Sequence, residues 1–344
     1  MPERTKRAIR VGIIRCDTHG MYFGPLMEKH DPVLFDMPVP MHKPAPYTWM
    51  RGGNHYYFYT HYCDPTRMTV KQVAGFEIVK LWDVHREAAE MAAKVFYGKP
   101  RVCDRFEEVS DDVDMVFIAD CNFEGKDHLK LATPGLKKGV PTLVDKPFAY
   151  TVADARAMLK LSDRYKAPIL SLSILRATPA ATRFRDRLAD TGGVNFGSID
   201  GGGVELQGLI HSISLARHVF GAGIRTVRVL SAPNQTLVYL DYGDRRDRPK
   251  HGVVIHCHVG QPFHGAMYVS AIGERGRVNS IELGDWQFPE GAAEILKLAR
   301  HMVRTGKSPV SGEEMIECIA VAEAVQRALK LGRAVKLDEV IRSR

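Results

Sequence analysis

Residues 9–16 read IRVGIIRC, a short apolar run rich in β-branched residues that is followed by polar, turn-prone residues. Such a run predicts a buried parallel strand, because it is too brief for a helix and lacks a polar face. Downstream, strand-like runs and helical patterns alternate. The strand-like runs are 76–82, 115–119, 141–144 and 168–172, and the helical stretches are 86–96, 125–138 and 151–165. This order predicts an N-terminal α/β domain, residues 1–172, built on a doubly wound parallel sheet.

The pattern changes after about Leu175. A helical stretch at 204–220 is followed by short strand-like runs separated by Gly, Pro, Asp and Asn, namely 227–230, 236–241, 253–259 and 267–273. Two further helical stretches, 291–304 and 313–331, close the sequence. Successive short strands joined by turns are typical of an antiparallel sheet. We therefore expect residues 173–344 to form an α+β domain with a mostly antiparallel open sheet, used for substrate binding and oligomerisation.

The connection between the first two strands is longer than a simple βαβ unit needs. It begins with a predicted helix near 22–29 and continues as an insertion, about 31–75, rich in Pro, Tyr and His. Long loops are usually functional, and aromatic rings suit a lid or a subunit contact. His55, His61 and Cys63 carry groups that bind zinc, but their spacing matches no standard metal motif. We therefore predict no metal site there.

Composition excludes several classes of protein. The 344 residues are 45% hydrophobic and 26% charged, as in an ordinary globular protein rather than a disordered one. The net charge of +8 comes from Lys and Arg spread evenly along the chain, so nucleic-acid binding is not expected. No apolar stretch is long enough for a membrane span or a secretion signal. The six cysteines stand singly, which favours free thiols and a cytoplasmic location.

Several short motifs resemble one known family. Residues 142–149, TLVDKPFA, resemble its E/D-K-P motif, and Arg176 to Pro179 its R-x-x-P motif. Gly201 to His211 resembles a glycine-led helix that carries a histidine. Further likenesses lie at 114–119, 128–139, 272–276 and 305–309. Together these motifs resemble the Gfo/Idh/MocA family of NAD(P)-dependent sugar and cyclitol oxidoreductases, whose N-terminal domain is of the Rossmann type.

The resemblance implies a site and a reaction. Lys146 would orient and polarise a substrate hydroxyl, and His211 would take its proton during hydride transfer. The substrate set it implies is Lys146, Arg176, Gln207 and His211. The implied cofactor-binding set is Arg15, Asp17, Thr18, His19, Gly20, Asp83, Asp120, Asn122, Asp145 and Lys146. NAD is slightly favoured over NADP, since Asp83 ends the second strand where a carboxylate accepts ribose hydroxyls. A homodimer or homotetramer with a carbohydrate or polyol substrate is expected.

The first turn departs from the dinucleotide fingerprint G-x-G-x-x-G. The aligned positions read Arg15-Cys16-Asp17-Thr18-His19-Gly20, so only the last glycine is present. Asp17 would place a carboxylate near the diphosphate, and Arg15 is the group that would offset it. The alternative is that the chain keeps the fold without the dinucleotide.

The substrate side departs as well, because Gln207 and Ser214 stand where relatives commonly carry Asp. Segment 197–203 is also shorter than in the family. Two other functions therefore stay open. One is a non-redox keto-sugar lyase or hydratase that uses Lys146 and His211 as acid and base, and the other is a non-catalytic sugar-binding protein.

Overall fold

The computed structural model describes residues 7–37, 58–60, 64–120, 124–233, 235–257, 267–284 and 287–342. The chain divides into two compact units. Unit 1 comprises Met1–Phe148, Arg156–Ser171 and Ala292–Val310, and unit 2 comprises Ala149–Ala155, Leu172–Gly291 and Ser311–Arg344. A late segment of the chain thus belongs to the unit that holds the N-terminus.

Unit 1 is built on a six-stranded sheet in which all the neighbouring strands are parallel. Its strands are β1 (Ile9–Ile14), β4 (Phe76–Trp82), β5 (Arg101–Val102), β6 (Met115–Ile118), β7 (Thr142–Val144) and β8 (Ile169–Leu170). They lie in the order β5-β4-β1-β6-β7-β8, so neighbours of β1 are reached in both directions. The predicted doubly wound parallel sheet is confirmed.

Helices connect these strands as the sequence pattern predicts. They are α1 (His19–Met27), α2 (Pro32–Asp36), α3 (Arg86–Val95), a 3-10 turn (Phe106–Ser110), α4 (His128–Lys137) and α5 (Val152–Tyr165, in unit 1 from Arg156 on). The apolar side chains of β1 are buried. Gly12 lies so close to Val109 that a Cβ atom would come within 2.6 Å of its Cγ1, so a glycine is needed at this point of the strand.

The described parts of the insertion pack against α1. Two short strands, β2 (Tyr59–Thr60) and β3 (Asp64–Met68), form an antiparallel pair. The ring of Phe58 meets that of Tyr22 edge-on at 5.0 Å, and His30 contacts the Tyr59 hydroxyl. Aromatic contacts therefore hold the Phe58–Tyr59 part of the insertion against α1 and the residues that follow it. His55, His61 and Cys63 lie outside the described residues.

Unit 2 is built on a seven-stranded sheet in the order β14-β13-β9-β12-β11-β10-β15. Its strands are β9 (Phe196–Asp200), β10 (Thr226–Ala232), β11 (Gln235–Asp241), β12 (Val253–Cys257), β13 (Tyr268–Gly273), β14 (Gly276–Asn279) and β15 (Val335–Lys336). All neighbours are antiparallel except β9 and β12. The mostly antiparallel sheet is confirmed.

The helices of unit 2 pack against one face of its sheet. They are α6 (Ile174–Ala177), α7 (Pro179–Asp186), a 3-10 turn (Arg187–Thr191), α8 (Leu206–Phe220), α9 (Phe288–Thr305, in unit 2 up to Gly291), α10 (Gly312–Leu331) and α11 (Leu337–Ile341). Along β11, side chains alternate between buried and part-exposed, as expected for a sheet with one covered face. Among the helices of the described residues, none is long and apolar enough to cross a membrane.

Candidate functional site

The turn after β1 keeps the shape of a glycine turn without its first glycine. Arg15 has a backbone φ of 76°, in the left-handed region that glycine adopts most easily. Its backbone N–H donates to the carbonyl of Trp82 at 2.8 Å. Its guanidinium is buried, donates to Asp127 at 2.5 Å and lies 3.8 Å from Asp120. It also lies over the Trp82 ring, 5.8 Å from the ring centroid. The ion pairs of the guanidinium therefore stabilise a left-handed backbone conformation that is unfavourable for a residue with a side chain.

Gly20 keeps the helix close to the strand. A Cβ atom at this position would collide with the carbonyl oxygen of Arg15 and lie 3.1 Å from Ile13 Cγ2. The last glycine of a dinucleotide fingerprint serves this same close packing of helix against strand. Thr18 caps α1 with its backbone carbonyl, which accepts from the N–H groups of Met21 and Tyr22 at 3.0 Å. The fingerprint glycine that the packing of α1 against β1 requires is therefore present as Gly20.

Three buried carboxyl groups surround the turn. Asp83, at the end of β4, accepts from the backbone N–H of Cys16 at 2.6 Å and of His85 at 2.8 Å. Burial raises the pKa of Asp83 to about 6, although these hydrogen bonds oppose the shift. Burial and the neighbouring Asp83 raise the pKa of Asp17 to about 6. Burial and Asp127 raise the pKa of Asp120 to about 6. The predicted cofactor residues Asp17, Asp83 and Asp120 thus form an acidic cluster around Arg15.

The acidic cluster continues into the start of α4. One ligand atom each from Asp120, Asp127 and His128 lie within 4.8 Å of one another, a geometry that could hold a metal ion. The Arg15 guanidinium already pairs with both carboxylates, however, and supplies the positive charge there. Asp127 was not predicted from the sequence, because its partner lies 112 residues away. The predicted Asn122 lies outside the described residues.

The end of β7 carries the acid-lysine-proline motif. Lys146 is only 7% exposed, and its peptide bond to Pro147 is cis. The backbone N–H of Asp145 donates to Ile118 at 2.8 Å, and the Ser171 hydroxyl donates to the Asp145 carbonyl at 3.3 Å. The Asp145 carboxylate contacts His19 Nδ1. Unit 1 therefore brings the predicted residues His19, Asp145 and Lys146 to the same edge of its sheet.

His211 lies in unit 2, on α8, and is buried. Its Nδ1 atom is 2.7 Å from the hydroxyl of Ser173, which caps α6 by accepting from the N–H of Leu175. Its ring stacks on Phe288, with centroids 5.7 Å apart. Gln207 is one helical turn earlier and half-buried. Ser173 was missed by sequence reasoning, which sees no link between a serine and a histidine 38 positions apart.

Arg176, predicted as a substrate residue, has an internal partner. Its guanidinium lies 2.6 Å from the Glu314 carboxylate, and both side chains are mostly buried. His218, on α8, contacts the Thr182 hydroxyl at 3.2 Å, and burial lowers its pKa to about 4. This environment indicates that His218 packs between α7 and α8.

A parallel sheet of this order is typical of Rossmann-type units, which bind ligands beyond the carboxyl ends of their strands. The model of the Gfo/Idh/MocA oxidoreductase family, NAD-binding Rossmann fold, matches residues 57–171. D-apiose dehydrogenase of Paraburkholderia graminis is 25% identical, over 78% of this chain and 85% of that protein. The resemblance predicted from the sequence is confirmed: residues 57–171 match the Gfo/Idh/MocA oxidoreductase family, and the chain is similar to a dehydrogenase over most of its length. These similarities support an enzyme of the oxidoreductase class.

Solved structures show the same fold. A probable dehydrogenase from Thermotoga maritima superposes with a TM-score of 0.72 at 16% identity, covering 97% of this chain and 100% of that one. Myo-inositol dehydrogenase from Lactobacillus casei, in complex with NAD(H) and myo-inositol, superposes with a TM-score of 0.71 at 15% identity, covering 96% and 97%. These likenesses extend the fold assignment to nearly the whole chain.

The backbone of the first turn has the shape that a dinucleotide needs, but the fit also depends on the charge of its acidic side chains. The left-handed turn at Arg15, the close packing at Gly20 and the start of a nine-residue α1 are the parts that a diphosphate needs. Asp17, however, stands at a glycine position and carries a buried carboxyl. An ionised carboxylate repels a diphosphate, so the fit is best when the acidic cluster is protonated.

Proposed function

We propose that this chain is an NAD(P)-dependent oxidoreductase that transfers a hydride to or from a secondary hydroxyl of a sugar, cyclitol or related polyol. The observation that carries the proposal is the buried Lys146 beside Asp145 in the acid-lysine-proline motif of this family. The relatives named for D-apiose and myo-inositol support the substrate class.

Lys146 would polarise the reacting hydroxyl. A bound nicotinamide would supply the hydride acceptor or donor. An ammonium group next to a hydroxyl favours its deprotonated form and fixes its position. Because Lys146 is almost fully buried, water screens this charge weakly.

His211 is the proposed proton carrier of unit 2. A serine hydroxyl both donates and accepts, so Ser173 can hold His211 Nδ1 in either protonation state of the ring. The stacked ring of Phe288 fixes the plane of the imidazole. His211 can therefore gain or lose a proton at Nε2 without losing its orientation. Arg176 and Gln207 remain the proposed substrate contacts.

NAD is the proposed cofactor in preference to NADP. The remaining cofactor residues of the proposal are Arg15, Asp17, Thr18, His19, Gly20, Asp83 and Asp120. Asp83 supplies a carboxylate at the end of β4, which disfavours a 2′-phosphate. The first arginine after Asp83, Arg86, is already held by Glu90 at 2.8 Å and Asp104 at 2.7 Å. A 2′-phosphate would have to compete with both carboxylates.

The open face of the unit 2 sheet is the proposed subunit contact. Its strands expose large apolar side chains that a monomer would leave in water, among them Leu230, Tyr268 and Ile272. A homodimer or homotetramer would cover them. The cytoplasmic location predicted from the sequence stays a prediction.

The test is a titration of the purified protein with NADH and NADPH, followed by fluorescence transfer from tryptophan. Trp82 lies under Arg15 in the first turn, so it is well placed to report a bound nicotinamide cofactor. We expect a response to NADH, and polyol-dependent reduction of NAD that Lys146→Ala abolishes. The exposed Lys160 gives a matched control, since Lys160→Ala should leave turnover unchanged.

Other outcomes separate the alternatives. No response to either cofactor at millimolar concentration overturns the proposal. Turnover of a keto-sugar without added nicotinamide, lost in Lys146→Ala, would establish the lyase or hydratase function instead. Sugar binding that survives the loss of both Lys146 and His211 would indicate a non-catalytic protein.

A further inference from the structure

A second carboxylate follows the strand next to β4 in the sheet of unit 1. Strands β4 and β5 are parallel, with Leu81 opposite Val102, and the N–H of Cys103 donates to the Leu81 carbonyl at 2.8 Å. Continuing this register by two residues places Asp104 beside Asp83, beyond the carboxyl ends of both strands. In Rossmann-type units the carboxylate at this position binds the adenosine ribose. Asp104 therefore lies where a 2′-hydroxyl is distinguished from a 2′-phosphate.

The two neighbouring carboxylates differ in their surroundings. Asp83 is buried, and its two oxygens accept from the backbone N–H groups of Cys16 at 2.6 Å and His85 at 2.8 Å. The side chain of Asp104, by contrast, is 80% exposed. Asp83 thus holds the backbone around the first turn, whereas Asp104 directs a negative charge towards whatever binds at the ends of β4 and β5.

Arg86, the first residue of α3, is held between two carboxylates. Its Nη1 atom donates to Asp104 at 2.7 Å, and its Nε atom donates to Glu90, one helical turn later, at 2.8 Å. An arginine close to the ribose carboxylate is the group that accommodates a 2′-phosphate in NADP-dependent Rossmann units. A guanidinium binds phosphate through these same N–H groups. In this chain both nitrogens already donate to carboxylates.

We propose that Asp104 determines the cofactor preference of this chain, because its carboxylate repels a 2′-phosphate and, together with Glu90, holds the guanidinium of Arg86. This inference rests on the function proposed above and names a residue, outside the predicted cofactor set, that selects NAD. Removal of both carboxylates releases Arg86 to bind a 2′-phosphate, so the same chain should then accept NADPH. The preference thus depends on an exposed ion-pair group and not on Asp83 alone.

The test measures the dissociation constants of NADH and NADPH at one fixed pH, by fluorescence transfer from tryptophan, and needs no turnover. Asp104→Asn should raise the affinity for NADPH relative to NADH about fivefold, and Asp104→Asn with Glu90→Gln about twentyfold. Adding Arg86→Gln to the double variant should remove most of this gain, because the released guanidinium supplies it. Glu87→Gln removes an equal charge from the exposed first turn of α3 and is the matched control.

Salt separates a charge effect from a change of shape. The gain of the double variant should shrink at about 1 M salt, where exposed charges are screened over about 3 Å. A double variant with the NADPH-to-NADH affinity ratio of the wild type overturns this inference alone. So does a gain that fully survives Arg86→Gln, or a wild type that binds NADPH more tightly than NADH. A wild type that binds neither cofactor overturns the proposed function, and this inference with it.

Discussion

Replacing Asp17 by asparagine should stabilise unit 1 at neutral pH. The side chain keeps its shape, and its oxygen can still accept from the Thr18 hydroxyl, which lies 3.1 Å away. What changes is the charge next to Asp83. Because the carboxyl is buried among other acids, its ionised form is the costly one in the folded protein.

The magnitude follows from the pKa of the group. It is raised from 3.8 to about 6 in the folded protein, and each unit of difference corresponds to about 1.4 kcal/mol. Because the pKa is raised in the folded protein, the contribution of Asp17 to the free energy of unfolding is fully present below pH 3.8 and is lost as the pH rises through 6. The full loss is about 3 kcal/mol, of which roughly half has developed at pH 5 and all of it by pH 8. Asp17→Asn should lack this loss.

The assay is amide hydrogen exchange of residues 9–16 in wild type and variant, from pH 5 to 8, corrected for intrinsic exchange rates. At pH 8 the variant should open about a hundredfold less often, and the ratio should shrink by about tenfold at pH 5. Exposed Asp163, replaced by asparagine, is the matched control and should change opening little. A ratio that does not depend on pH, or a variant that opens more often at pH 8, would refute the reasoning.

Three further predictions concern cofactor affinity, the packing at Gly20 and the ion pair of Arg176 with Glu314. The affinity for NADH, measured by fluorescence transfer, should rise as the pH falls from 8 towards 6, because protonation of Asp17, whose pKa is raised to about 6 by burial, removes repulsion of the diphosphate. Gly20→Ala should lower the melting temperature strongly, because its Cβ meets backbone, while Gly208→Ala, where a Cβ finds only ordinary contacts at 3.5 Å, should be tolerated. Glu314→Gln should destabilise unit 2 by about 3 kcal/mol in chemical denaturation, because it leaves the mostly buried Arg176 charge without its partner.

The framework of both sheets was predictable because it depends on local pattern. Runs such as 9–16 and 115–119 are mostly apolar, as expected for strands that are covered on both faces. Three strands of unit 2, β9, β14 and β15, were not among the predicted strand-like runs. β9 contains a glycine and β15 has only two residues, so their extended form is set by pairing with neighbours rather than by their own sequence.

The residues proposed to carry the chemistry could be predicted from the sequence, but the residues that contact them could not. The motif around Lys146 identified the strand end that carries the candidate site, because its lysine and proline are adjacent in the sequence. The partners of Arg15, His19 and His211 were not visible, since each lies between 38 and 126 residues away. Such contacts depend on how separate helices and strands pack, which no local pattern records.

Arg15 shows how a turn can lose its glycine and keep its shape. A left-handed conformation costs a residue with a side chain about 1–2 kcal/mol. The short bond to Asp127 and the nearby Asp120 offset that cost, because the guanidinium is buried and its pairs are weakly screened. A return to glycine at this position alone would remove the strain but leave two carboxylates without their cation, which costs about 3–5 kcal/mol. The arginine and its acids therefore stabilise the turn as one unit, and the acidity of the binding edge is a consequence of how the turn is built.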